Sequence, residues 1–164
     1  MDCGFTAGNQ WFRYRAAAII VENGCVLLAG NEEEDYLYSV GGGVHHGETS
    51  EDAVRREVLE ETGAAYEIDH LAVIHENFWE GKGAFDKGLD CHEIAFYYWM
   101  KPRGSQELCG DSVTRFHVRE TMHWISIEDL DKHKYYPSFL KDYLSEPHPE
   151  VRHLVTRERS EYRS

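Results

Sequence analysis

A chain of 164 residues with 30 Asp and Glu against 17 Lys and Arg, formal net charge −13, is sized for one domain with an ordinary core. That balance excludes a nucleic-acid duplex as partner, because binding phosphate by charge needs a basic stripe and the sequence has none. It also sets a condition: if the chain handles a phosphate compound, divalent cations must reverse the sign of its own field.

The opening stretch, MDCGFTAGNQWFRYR, holds no apolar run of signal-peptide length, and the later runs AAAIIV and IAFYYWM are too short to cross a bilayer. The expectation is a cytoplasmic protein without a membrane partner. Cys3, Cys25, Cys91 and Cys109 form no Cys-x-x-Cys pair, so neither a zinc site nor a redox motif is supported.

Taken in chain order, RAAAIIVENGCVLLAG reads as two strands joined by Asn23-Gly24, the dipeptide that supplies the positive φ angles of a tight hairpin. The acidic loop NEEED follows, and then a short strand, YLYSV, which the glycines at 41–43 are expected to end. From Thr49 the pattern turns helical. Thr49 as N-cap with Asp52 three residues on, acidic residues in the first turn and Gly63 past the end predict a helix over 50–62. YEIDHLAVIHENFW and CHEIAFYYWMK read as strands around a loop at 80–90, MHWISI as another strand, and PSFLKDYLSE as a helix with Pro137 in its first turn. Residues 146–164 read as a last edge strand plus a frayed tail. Strands with two helices among them, without regular alternation, predict an α+β fold with a mixed β-sheet.

The helix carries the most informative pattern. At about 100° per residue, with Glu57 at zero, Glu60 falls at about −60°, Glu61 at about +40°, Val54 at about +60° and Val58 at about +100°. The carboxylates therefore border the apolar stripe instead of lying opposite it, where a solvated acidic face belongs. Crowded there, they raise one another's pKa unless a cation compensates, and Mg²⁺ or Mn²⁺ takes oxygen ligands of this kind. Gly41 and Gly42 let the main chain approach closely and turn a carbonyl towards such an ion. Arg56 precedes Glu60 by four residues, within reach of its carboxylate.

Gly42, Glu48 and the run Arg56-Glu57-Val58-Leu59-Glu60-Glu61-Thr62-Gly63-Ala64 resemble a complete Nudix box over residues 42–64. The resemblance implies an αβα sandwich and metal-dependent hydrolysis of a pyrophosphate bond in a nucleoside diphosphate linked to another group, by water attack on phosphorus. The substrate class spans nucleoside triphosphates, nucleotide sugars such as ADP-ribose, and dinucleoside polyphosphates. It further implies Mg²⁺, with Mn²⁺ as substitute, on Glu57, Glu60, Glu61 and the Gly41 carbonyl, with Arg56 and Glu48 orienting the helix and its carboxylates. Members of the family often pair as homodimers. The alternative is a Nudix-fold sensor that binds a nucleotide without cleaving it, a role in which box residues are typically lost.

Outside the box, Glu120 matches a segment where a further glutamate reaches the metals or the water from a loop; otherwise it is an exposed loop acid. Glu93 faces either the cleft or solvent by strand alternation. His45 and His46 either touch metal-bound phosphate or are simply exposed, the reading favoured here, and Arg13 or Arg15 either holds a distal phosphate or ribose or is a solvated charge at the start of a strand. Tyr36, Tyr38, Phe78, Trp79 and the aromatics at 96–99 offer flat surfaces to a nucleobase, or else belong to the core.

Overall fold

The computed structural model describes residues 1–109, 112–113, 118–146 and 148–158. In chain order it contains β1 (Gly4–Ala7), β2 (Gln10–Ile19), β3 (Val21–Glu22), β4 (Cys25–Asn31), β5 (Leu37–Ser39), β6 (Gly41–Gly43), α1 (Ser50–Thr62), β7 (Ile68–Glu80), β8 (Asp90–Met100), β9 (Ser112–Val113), β10 (Arg119–Ser126), a 3₁₀ turn (Ile127–Lys132), β11 (Tyr135–Tyr136), α2 (Leu140–Ser145) and β12 (Arg152–Glu158). Where a single mixed sheet is expected from the sequence, the strands form two, ordered β1-β2-β8-β7-β12 with β6 beside β2, and β11-β5-β4-β10-β9 with β3 beside β4. Each is mixed: β2 runs parallel to β8 and β12 to β7 in the first, and β11 runs parallel to β5 in the second.

β2 is buried on both faces, so its side chains feed two cores by strand alternation. Ala16 and Ala18 pack with Val54 and Val58 of α1, while Ala17 and Ile19 pack with Leu140 and Tyr143 of α2. β4 does the same, Leu27 entering the first core and Val26 and Leu28 the second. Helix, sheets, helix is the αβα layering.

The predicted hairpin turn is present, with Asn23 at φ 51° and Gly24 at φ 73° between β3 and β4. The glycines at 41–43 do not end the strand path: β5 stops at Ser39, and Gly41–Gly43 form β6 against Ala17, Ala16 and Arg15 of β2 in the other sheet. The chain thus changes sheets at Val40, which is fully buried. A Cβ on Gly41 would lie 2.6 Å from the Ala17 Cα, so the two strands meet there only without a side chain.

α1 spans the predicted residues, with Thr49 Oγ1 accepting from the Asp52 N–H and Gly63 left-handed at its end. α2 is shorter than expected: Pro137 follows a cis bond and precedes the helix, its carbonyl accepting from the Leu140 N–H at 3.2 Å. The last edge strand is real, β12 pairing with β7 from Arg152 to Glu158, and the frayed tail expected beyond it lies outside the described residues. No described helix is long and apolar enough to cross a membrane.

Candidate functional site

Between the two sheets lies a cleft of about 890 Å³, floored by β6 and one face of α1. Burial along α1 follows the helical angles. Glu61, between the directions of Val54 and Glu57, is 5% exposed; Glu57 is mostly covered; Glu60, turned the other way, has a side chain 59% exposed. All three line the cleft.

Arg56 ties this face to the loop before it. Its Nε donates to Glu48 Oε1 at 2.8 Å, Nη2 to Glu48 Oε2 at 3.0 Å and to the Gly43 carbonyl at 3.1 Å, and Nη1 to Glu57 Oε1 at 2.6 Å. Glu60 is reached only at 3.5 Å. The i,i+4 spacing puts Glu60 within reach of Arg56, and the two do pair; Glu48, expected from the resemblance, and Glu57 are held more closely, Glu60 being the most exposed of the three helix glutamates. These bonds, Arg56 foremost, pull the Glu48 carboxyl down to about 2. Glu48 also accepts from the His45 N–H at 2.9 Å, which closes the loop onto the helix.

Gly42 presses on the same group: a Cβ there would sit 2.6 Å from Glu57 Oε2. The Gly41 main chain adjoins Glu61, donating to its carboxylate. His45 is half-buried, its ring 3.3 Å from Asp2, which departs from the expected exposure, whereas His46 is exposed.

Glu120 corrects the sequence expectation of a loop. It sits on β10, opposite Asn31 of β4, and points into the cleft beside Glu61. Burial, followed by the Glu120 and Glu57 charges, holds the Glu61 carboxyl well above the ordinary range; burial likewise raises Glu120, against the pull of Arg15. The two side chains stand within hydrogen-bonding reach of each other, and with both ionised the buried Glu61 Oε2 and Glu120 Oε2 meet no donor. Two adjacent carboxylates with orphaned oxygens fit a hard divalent cation, since an unmet buried acceptor otherwise costs about 1–3 kcal/mol. Among the described residues no group of three or more His, Cys, Asp and Glu side chains is gathered as a metal cage.

Arg13 and Arg15, favoured from the sequence as solvated charges, are both engaged, and Arg15 is buried with Glu93. Arg15 is 8% exposed and Glu93 3%, and Arg13 is paired with Glu93 across the β2–β8 ladder. The available signal was the AAAII run directly after Arg15: a strand buried on both faces buries its neighbour too. Farther out, Trp11 and Trp79 meet edge to face at 5.9 Å on one wall, and Tyr36 and Tyr136 at 5.1 Å on the other. Tyr38 lies with them, bonded to Asn31, whereas Phe78 faces away from the cleft and stacks on His92.

A family model described as NUDIX domain matches residues 12–146. Among solved structures, the chain is similar to a MutT NUDIX hydrolase from Burkholderia pseudomallei, at 26% identity and TM-score 0.58 over 79% of this chain and 95% of that one. It is also similar to a MutT protein from Bacillus halodurans, at 17% identity and TM-score 0.61 over 80% of each chain. An ADP-ribose pyrophosphatase from Streptococcus suis matches at 15% identity and TM-score 0.55, over 86% of this chain and 98% of that one. No curated protein matches by sequence at a significant level.

Proposed function

The chain belongs to the NUDIX domain family, and from that membership we propose that its pyrophosphohydrolase site is Mg²⁺-dependent and acts on a nucleoside diphosphate linked to a further group. The candidate substrates are a nucleoside triphosphate, a nucleotide sugar such as ADP-ribose, or a dinucleoside polyphosphate. The observation that carries the reading is the pair of buried, unpartnered carboxylate oxygens on Glu61 and Glu120, beside Glu57 and β6 in an acidic cleft.

In this reading Glu57, Glu60, Glu61 and the Gly41 carbonyl hold the ion, with Glu120 facing them from the other sheet. When bound, the ion polarises the phosphoryl oxygens and acidifies a water. The protein's own groups do the rest. Arg56, fixed by Glu48 and the Gly43 carbonyl, presents Glu57 in one orientation. With the ion bound the carboxylates are ionised, and Glu120, facing Glu61 from the other sheet, is the carboxylate placed to accept the proton of the attacking water. The aromatic walls formed by Trp11 and Trp79 and by Tyr36 and Tyr136 receive the nucleobase.

The test is a panel of these substrates, each incubated with Mg²⁺, Mn²⁺ or a chelator. Cleavage of at least one, with a phosphate-bearing product and loss of turnover in chelator, is expected. Inactivity towards every member overturns the reading.

A further inference from the structure

Charges alternate in a row from the rim of the cleft to the acidic cluster. Arg13, its guanidinium 5.0 Å from the Trp11 ring, is partly exposed at the rim. Its Nε donates to Glu93 Oε2 at 2.7 Å, and Glu93 is buried at the opposing position of β8. Two residues along β2, on the same face, stands Arg15. Its Nη2 donates to the Ser39 carbonyl at 2.6 Å, which pins the guanidinium to β5, while its Nε is buried without a partner.

The groups that face Arg15 come from several elements: Tyr97 and Glu93 on β8, Glu61 and Glu57 on α1, Glu120 on β10, Tyr38 on β5 and His75 on β7. Arg15 lines the same cleft as Glu57, Glu61, Glu93 and Glu120; burial disfavours its charge, the carboxylates favour it, and the guanidinium stays charged. No hydrogen bond of Arg15 to Glu61 or Glu120 accompanies this. Its action on them is through the field.

Resting on the metal-dependent reading above, we propose that Arg15 is a built-in counter-ion of the catalytic carboxylates: a positioning residue whose fixed charge holds the metal-free cluster together and lowers its affinity for a free divalent ion. Glu93 sets the strength of that charge by sharing its own between Arg13 and Arg15. The arrangement accounts for a guanidinium sunk where no anion bonds it directly, a placement that costs too much to be an ordinary surface arginine folded inward.

The two roles open to Arg15 predict opposite signs. As a purely structural residue, its loss disorders the carboxylates and weakens ion binding; as a counter-ion, its loss removes a repelling charge and tightens it. The experiment is calorimetric titration of Mn²⁺ into the metal-free protein, its Arg15→Met and Arg15→Lys variants, and Glu93→Gln, with circular dichroism on each. Arg15→Met is expected to bind Mn²⁺ about tenfold more tightly, as a near unit charge in a medium of intermediate dielectric demands, with Arg15→Lys close to the parent. A folded Arg15→Met with unchanged or weaker binding overturns the proposal. Should that variant not fold, Glu93→Gln decides: binding weakened several-fold supports the proposal, and unchanged or tighter binding overturns it. A parent protein with no Mn²⁺ response overturns the metal-dependent reading itself, and this inference with it.

Discussion

Arg56 and Glu48 form a two-pronged ion pair, Nε to Oε1 at 2.8 Å and Nη2 to Oε2 at 3.0 Å, that fastens α1 to the loop leading into it. A planar fork matched to a carboxylate in this way is not reproduced by a lysine. Arg56→Ala leaves Glu48 and Glu57 without their main donor, so turnover is expected to fall by about a hundredfold, with about 2 kcal/mol lost from stability and the fold retained. Rates beside denaturant melts check this, and Arg56→Lys is expected to recover little of the rate.

The same pair makes the loop acid-sensitive. The folded-state pKa of Glu48, about 2, lies below its ordinary value of 4.5, so its contribution is complete above the ordinary value and disappears as pH falls through the folded one. Acid melts of Glu48→Gln should therefore lose the part of the pH dependence that the parent shows in that window.

Glu61 behaves oppositely. Its carboxyl is raised in the folded state, so the folded chain binds more protons than the unfolded one, and metal-free stability falls as pH rises from the ordinary carboxylate value through the raised one. In chelator, the melting temperature of the parent is expected to drop over that range more than that of Glu61→Gln. Equal slopes would remove the buried charge as the cause.

Neighbouring glycines should separate stability from activity. A Cβ at Gly41 meets the main chain of β2, and Gly41→Ala is expected to lower stability by about 1–3 kcal/mol or more. At Gly42 the nearest atoms are those of the Glu57 carboxylate, at a side chain's end, so Gly42→Ala should displace that carboxylate from Arg56, keep most stability and lose activity. Thermal melts and rates on the two variants decide.

On the outer wall, Tyr36→Ala removes a ring that meets Tyr136 at 5.1 Å. If that wall receives the base, KM should rise about two- to tenfold with kcat little changed. A fall in kcat alone would place the ring elsewhere in the reaction.

Much of the candidate site's geometry was legible because it is local. Helical angles alone bring Glu57, Glu60 and Glu61 to one side of α1, and a cap residue, an acidic first turn and a terminal glycine fix both ends of that helix whatever it packs against. The hairpin at Asn23-Gly24 is local for the same reason, its turn chemistry residing in two adjacent residues. That Arg56 holds Glu57 more closely than Glu60 was not legible, since i and i+4 spacing permits a contact that solvent exposure of Glu60 then leaves long.

By itself, then, the sequence determined the family, the helix, the hairpin and the acidic face, because each rests on residues close together in the chain. Tertiary structure alone decided that the strands divide into two sheets and that the glycines become β6. It also decided that Glu120 meets Glu61 across 59 residues of chain, and that Arg15 and Glu93 are buried beside them. Those outcomes depend on register between distant strands, where a shift of one residue turns a side chain from the cleft to the opposite face.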